Sequence, residues 1–364
     1  MTPQPLFVQP KTLKLFPIKN LSESPFFATL VSCNLKSARV GEEEKVFVCE
    51  DELHFRKSLE STLSKEIDGG EQFVSSFQTE LEKINILMQC ASNVYTAELT
   101  EAENVEDNEL CSFSETGVSL IRLLLKIELI QERVIDAILE MLTIHASTLD
   151  SGESENERSM SLQNGCERNV TKLLLSQLQW IDIVYNGQAL TNKLLECLQV
   201  CPLDSQRDII QAIPEIIDDA EQETVVETLL ETMESEMRLT VSILDAISNL
   251  FLAPRKKEEA TERVLNTLGS ASLTDLPVIV RFLIDGCTPG NTENIICILR
   301  KHLSELIGQI SIITDDGDET ERTSSEALLL EALRASLLHR KDVVVAWTKI
   351  IESCSVGHRE TSDG

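Results

Sequence analysis

The sequence holds 364 residues, with 61 acids against 32 Lys and Arg, a formal charge of −29, and an apolar share of 42%. That share supports a sizeable core and argues against a chain disordered throughout, while the acidic excess argues against a free-standing nucleic-acid binder, which needs clustered Lys and Arg. Aromatics at 4%, 14 Gly and 10 Pro are few for the turn-rich chemistry of sandwiches and barrels, so the expectation is an all-α protein.

Pro3, Pro5, Pro10, Pro17 and Pro25 crowd the first 25 residues, and Lys11, Lys14 and Lys19 precede the first acid, Glu23. Proline removes a backbone donor and breaks helices, so residues 1–50 are expected as an extended Pro-containing arm. An organellar transit peptide is the weaker reading, because such peptides are Arg-rich and amphipathic. No run in the first twenty residues is apolar enough for a secretory core, and runs such as 123–125 are too short to span a bilayer. The ten Cys, at 33, 49, 90, 111, 166, 197, 201, 287, 297 and 354, are unevenly scattered. They read as reduced, mostly buried side chains of a soluble intracellular protein.

Helical periodicity begins near Asp51 and defines an N-terminal helical region over 51–146. Its first candidates are 51–66 and 71–91, the latter carrying Phe73, Phe77, Leu81, Ile84 and Met88 at steps of three and four. Residues 97–116 hold seven acids and no Lys or Arg, and read as an acidic connector. Helices are expected over 118–129 and 131–145. A Ser/Glu/Asn/Gly stretch follows, giving a polar linker over 147–166.

From 167 to 356 the spacing becomes regular. The stripes are Leu174, Leu178, Ile181 and Tyr185; Leu190, Leu194, Leu198 and Cys201; Ile209, Ile213 and Ile216; Val226, Leu229, Met233 and Met237; Ile243, Ile247 and Leu250; and Ile295, Leu299, Leu303 and Ile307. Each puts one apolar face on a helix. Asp208, Val241 and Leu276 open similar segments 33 and 35 residues apart, and Lys172 lies 36 before Asp208. A helix pair recurring at such a period marks a HEAT-like α-solenoid of antiparallel helix pairs. Ser205-Gln-Arg-Asp208 resembles a capping box, Pro277 suits a first helical turn, and Pro214 is read as a bend. An acidic loop interrupts the solenoid at 314–323, and 357–364 forms a tail.

Chemistry-bearing constellations are scarce. Cys197 and Cys201 share a helical face, but a structural zinc site needs four convergent ligands, so core cysteines are the favoured reading. His302 makes no triad with Cys297, and no glycine-rich phosphate loop occurs. No catalytic, cofactor-binding or metal residues are expected, and no cofactor or small-molecule substrate. The basic clusters Arg255-Lys-Lys257, Arg300-Lys-His302 and His339-Arg-Lys341 read as solvated helix ends, the alternative being that a stacked solenoid aligns them along one DNA-binding groove. Ser176-Gln177 and Ser205-Gln206 carry the dipeptide favoured by DNA-damage checkpoint kinases, making Ser176 and Ser205 candidate phosphorylation sites; Ser176 falls within an expected helix.

Five ordered segments carry a resemblance: Leu174-Leu-Ser-Gln-Leu-Gln-Trp-Ile-Asp182, Asp208-Ile-Ile-Gln-Ala-Ile-Pro-Glu-Ile-Ile217, Ser242-Ile-Leu-Asp-Ala-Ile-Ser-Asn-Leu250, Leu273-Thr-Asp-Leu-Pro-Val-Ile-Val-Arg-Phe-Leu-Ile284 and Ala346-Trp-Thr-Lys-Ile-Ile-Glu352. Together with Ser119-Leu-Ile-Arg-Leu-Leu-Leu125 they resemble the N-terminal helical repeats of the Fanconi anaemia group D2 protein family, in order and spacing, over about residues 115–356. The resemblance implies a nuclear scaffold of interstrand crosslink repair, replication-fork protection and meiotic double-strand break repair. It implies a heterodimer with the Fanconi anaemia group I paralogue, modification by the Fanconi core ubiquitin ligase, and DNA engaged only through the larger assembly. The family's ubiquitin acceptor lysine lies beyond residue 364, so none is expected in this chain. Ser176 occupies the family's serine-glutamine position. The alternative reading is a cytoplasmic HEAT/armadillo-type transport or trafficking adaptor, whose acidic surface would attract basic cargo. Neither reading calls for an enzyme or a membrane.

Overall fold

The computed structural model describes residues 11–16, 24–40, 44–65, 68, 70–97, 111–150, 163–312 and 319–360. They fall into two compact units, Met1–Asp218 and Asp219–Gly364. Helices dominate both, in keeping with the expected helical-repeat class, but the first unit also contains a small sheet that the composition argued against.

Its strands are β1 Lys11–Phe16, β2 Lys36–Val40, β3 Glu44–Cys49, β4 Asn93–Ala97 and β5 Cys111–Ser119. They close in that order into a five-stranded barrel, β1 completing the circle by pairing antiparallel with β5. Every pairing is antiparallel except β3 with β4. A parallel pair needs a long crossover, here supplied by α2 Glu52–Leu63, α3 Glu71–Leu81 and α4 Ile84–Ala91.

The barrel corrects two expectations. Among residues 1–50, the described part is folded: β1, β2 and β3 lie in the sheet, and α1 Pro25–Ser32 begins with Pro25 in its first turn, where the missing N–H costs nothing. Phe26, Phe27, Leu30, Val46, Phe47 and Val48 are buried. The Phe26 ring sits 4.8 Å from Phe27, 5.2 Å from Phe73 and 5.1 Å from Phe77, so the supposed arm supplies the aromatic centre of the unit. The end of the acidic connector, 111–116, is strand rather than loop, and the helix expected from 118 starts only after Ser119; residues 98–110 lie outside the described ones.

The helix expected over 71–91 is two. Phe73, Phe77 and Leu81 are buried, but the break at 82–83 resets the phase, leaving Ile84 and Met88 partly exposed and turning Leu87, Cys90 and Ala91 inward. After the barrel come α5 Leu120–Leu125, α6 Glu128–Asp150, α7 Gln163–Leu178, α8 Gly187–Val200 and α9 Leu203–Ile216. The linker expected over 147–166 is shorter at both ends, because α6 runs to Asp150 and α7 starts at Gln163; residues 151–162 lie outside the described ones. Helix α6 packs on α7 and α8, and α9 on α7 and α8. Helix α9 begins at Leu203, so Ser205 is buried in its first turn instead of capping it. It ends two residues past Pro214, which leaves the missing donor in the last turn.

The second unit contains α10 Gln222–Ser235, α11 Thr240–Ser248, α12 Pro254–Thr267, α13 Leu276–Asp285, α14 Thr292–Ile312, α15 Glu319–His339 and α16 Lys341–Glu360. Helices α10 to α14 each pack on the next helix but one, the stacking that defines a repeat array. Val226, Leu229, Met233, Ile243, Ile247, Ile295 and Leu299 are buried on the expected stripes. Of the acidic loop placed at 314–323, residues 319–323 belong to α15 and 313–318 lie outside the described ones; 357–360 of the expected tail continue α16. No described helix is long and apolar enough to cross a membrane.

Candidate protein-interaction site

The residues with the most informative chemistry converge where α5 meets the end of α7. Ser119 is the N-cap of α5: its Oγ accepts from the Arg122 backbone N–H, satisfying one of the free donors of the first turn. The same hydroxyl donates to Gln177 Oε1 at 2.6 Å, with both residues buried. Gln177 Nε2 donates in turn to the Leu173 carbonyl and to Ser176 Oγ, at 3.1 and 3.2 Å.

Ser176 itself is half-buried, and its hydroxyl donates to the Leu173 carbonyl at 2.7 Å. Of the candidate pair Ser176-Gln177, the glutamine is therefore a core residue in this conformation. Ser205 is buried within α9. A kinase needs an extended, accessible segment, so either site requires local opening before phosphate transfer.

Arg122, one turn along α5, reaches the carbonyls of Gly117 and Ser176, each at 3.5 Å, and places its guanidinium 5.1 Å from the centre of the Trp180 ring. Burial lowers its pKa, because a desolvated cation is disfavoured; the ring face partly offsets that desolvation. The contact holds Trp180 just past the end of α7. Sequence periodicity had placed Ile181 and Tyr185 on the apolar stripe of this helix, but α7 stops at Leu178 and Tyr185 is exposed.

Cys197 and Cys201 are both buried at the end of α8, with sulfurs 3.7 Å apart, and Thr143 Oγ1 lies 3.4 Å from Cys197 Sγ. Hydrogen bonding from Cys201 lowers the pKa of Cys197, while that same bond and burial raise the pKa of Cys201. Among the described residues, no group of three or more His, Cys, Asp or Glu could hold a metal ion.

One member of each basic cluster is engaged with the protein's own groups, as is Arg263 on α12. Lys256 pairs with Glu227 and Glu259, both at 3.1 Å, and Arg263 bridges Glu227 and Glu234 at 2.6 and 2.8 Å, tying α10 to α12. Arg340 spends its guanidinium on the carbonyls of Ile284, Asp285 and Cys287, at 2.9, 3.1 and 2.7 Å, where α13 ends. Lys301 faces Glu305 at 3.9 Å, beside an open cavity of about 470 Å³ that Cys297, Arg300, Ser304 and Ile350 also line.

A profile of the family described as "Fanconi anaemia protein FancD2 nuclease" matches residues 18–361. The chain is 28% identical over 320 residues to the Fanconi anemia group D2 protein homolog of Rattus norvegicus, covering 83% of this chain and 21% of that protein. It is 27% identical to the homolog of Mus musculus, covering 78% and 19%, and 27% identical to the Fanconi anemia group D2 protein of Gallus gallus, covering 89% and 22%. It thus spans about a fifth of the length of the curated relatives it matches.

Proposed function

Since this chain belongs to the family of the Fanconi anaemia protein FancD2, we propose that it is a non-catalytic helical scaffold acting in DNA interstrand crosslink repair, replication-fork protection and meiotic double-strand break repair in the nucleus. Its partner in this reading is the Fanconi anaemia group I paralogue, DNA is engaged through the larger assembly, and the core ubiquitin ligase acts on a lysine outside these residues. The observation that carries the proposal is that the family match runs through both units and the stacked helices, from 18 to 361. Stacked helices present side chains of successive repeats along continuous faces, the geometry of a scaffold.

The electrostatics support DNA contact through an assembly. A net charge of −29 repels phosphate, and Lys256, Arg263 and Arg340 are turned onto acids or carbonyls of the chain itself. The family description includes a nuclease; we assign that chemistry to no residue here. Cleavage of branched DNA by the purified chain with magnesium or manganese would overturn the non-catalytic reading.

Ser176 is proposed as a conditional phosphorylation site, released when Gln177 leaves its pocket. The test of the scaffold reading is a pull-down of residues 1–364 against the full-length group I paralogue, with and without duplex DNA, across a salt series. Binding that survives moderate salt without DNA is expected; loss of all binding would remove the heterodimer from this reading.

A further inference from the structure

The segment 179–186, between α7 and α8, is short, held from behind and apolar in front. Its backbone is fixed by Gln131, a buried side chain of α6. Gln131 Nε2 donates to the Ile183 carbonyl at 2.7 Å and to the Leu125 carbonyl at 2.8 Å, while its Oε1 accepts from the Tyr185 N–H at 2.9 Å. Asn186 then caps α8, its side chain accepting from the Ala189 N–H. Arg122 stacks on Trp180 at the other end.

Held this way, the segment presents Trp180, Ile183 and Tyr185 to solvent, at 64, 63 and 48% exposure. Single exposed apolar residues are ordinary, as Phe251 is in the second unit; three large ones within six residues of a clamped loop are a patch. Trp and Tyr are also side chains that dominate binding energy where proteins meet. Pre-anchoring lowers the ordering cost that an exposed loop would otherwise carry on association.

The charges around the patch say what covers it. Lys126 is held behind the loop between Glu52 and Asp182, at 3.8 and 3.6 Å, and Lys193 on α8 pairs with Asp136 and Glu132. Arg122 is committed to the Trp180 ring and to carbonyls. These pairs set four acids against two lysines, and the acids stand further into water: the side chains of Asp182 and Glu132 are 73 and 56% exposed, those of Lys126 and Lys193 26 and 35%. We infer that the Trp180–Ile183–Tyr185 face of the first unit is a protein-docking surface, and that the segment it receives carries apolar anchors flanked by Lys or Arg. Nucleic acid and anionic membranes do not fit, because phosphate would meet this acidic rim. The inference rests on the proposed scaffold reading only for the choice of probe.

The probe is the full-length group I paralogue, titrated by calorimetry against residues 1–364 as wild type, Ile183→Ser, Tyr185→Ser, Asp182→Lys and, as a control in the second unit, Phe251→Ser. The Gln131 bonds go to backbone groups of 183 and 185, so the serine variants keep the clamp, and a thermal melt checks that each variant is folded. The expected result is an affinity loss of about tenfold or more for Ile183→Ser and Tyr185→Ser, a loss for Asp182→Lys that shrinks as salt rises, and no change for Phe251→Ser. Equal binding by wild type and both serine variants overturns this surface and leaves the scaffold reading standing. Tighter binding by Asp182→Lys overturns the basic character assigned to the partner. Failure of the wild type to bind overturns both the paralogue as partner and its docking here.

Discussion

Ser119 and Gln177 meet through a buried hydrogen bond of 2.6 Å, although 58 residues separate them in the chain. One hydroxyl caps α5 and pins α7, so the glutamine beside Ser176 is tied to the start of another helix. Ser119→Ala removes both roles and leaves Gln177 Oε1 without that donor. An expected loss of about 1–3 kcal/mol follows from a lost cap and an unsatisfied buried acceptor. The same substitution should speed phosphorylation of Ser176 by a serine-glutamine-directed kinase, because it frees Gln177. Phosphopeptide mass spectrometry on native wild type and variant checks this; equal rates would show that the Ser119 bond does not restrain the site.

Arg340 is the counterpart in the second unit. It closes the end of α13 by donating to three carbonyls and takes a bidentate grip on Asp342, at 3.1 and 2.8 Å. Lysine cannot reproduce that fork, so Arg340→Lys should lower stability by roughly 2–3 kcal/mol, read from chemical denaturation.

Asp342 carries a pH signature of the same contact. The Arg340 hydrogen bond holds its carboxyl down from an ordinary 3.8 to about 2. Because the folded value is depressed, the stabilisation is complete above about pH 4 and fades as pH falls through 2. Asp342→Asn should flatten the acid limb of the stability profile; an unchanged limb between pH 4 and 2 would contradict the assignment.

Gly286 shows how closely α12 and α13 approach. A methyl group there would stand 2.2 Å from Oγ1 of Thr261, which is buried in α12. Overpacking of this kind costs about 1–3 kcal/mol, so Gly286→Ala should lower the melting temperature. Adding Thr261→Ala should recover part of the loss, since it removes the clashing atom.

The thiols should separate by exposure in a timed alkylation. Cys297 is exposed, while Cys33, Cys49, Cys90, Cys197, Cys201 and Cys287 are buried. Burial raises the Cys90 thiol further and pushes that of Cys287 up to about 11. Iodoacetamide at neutral pH should label Cys297 before any of these six, which should react only with denaturant. Early labelling of Cys90 would show that the first unit opens easily.

The helices of both units were legible because their cause is local. Ile209, Ile213 and Ile216, or Val226, Leu229 and Met233, announce a buried face within one window of sequence. The helix-pair period and the family resemblance were equally accessible, since both repeat short-range patterns. Candidate site residues were less so: the Ser176-Gln177 dipeptide is plain in the sequence, but the core position of Gln177 depends on Ser119.

The barrel had no comparable local signature. Its strands are five to nine residues long, and its closing register pairs Lys11 with Phe113 across a hundred residues. Strand pairing is a contact between distant segments, so short strands without clear alternation carry little signal. The docking face had the same obscurity. Ile181 and Tyr185 read as the continuation of a buried stripe until the end of α7 at Leu178 and the Gln131 clamp leave Tyr185 in water, with Trp180 and Ile183. The sequence alone determined a helical-repeat protein and its kinship, because helix formation and apolar spacing act over a few residues. Which strands close the barrel and which apolar side chains remain in water are set by long-range packing, because both depend on what distant residues leave uncovered.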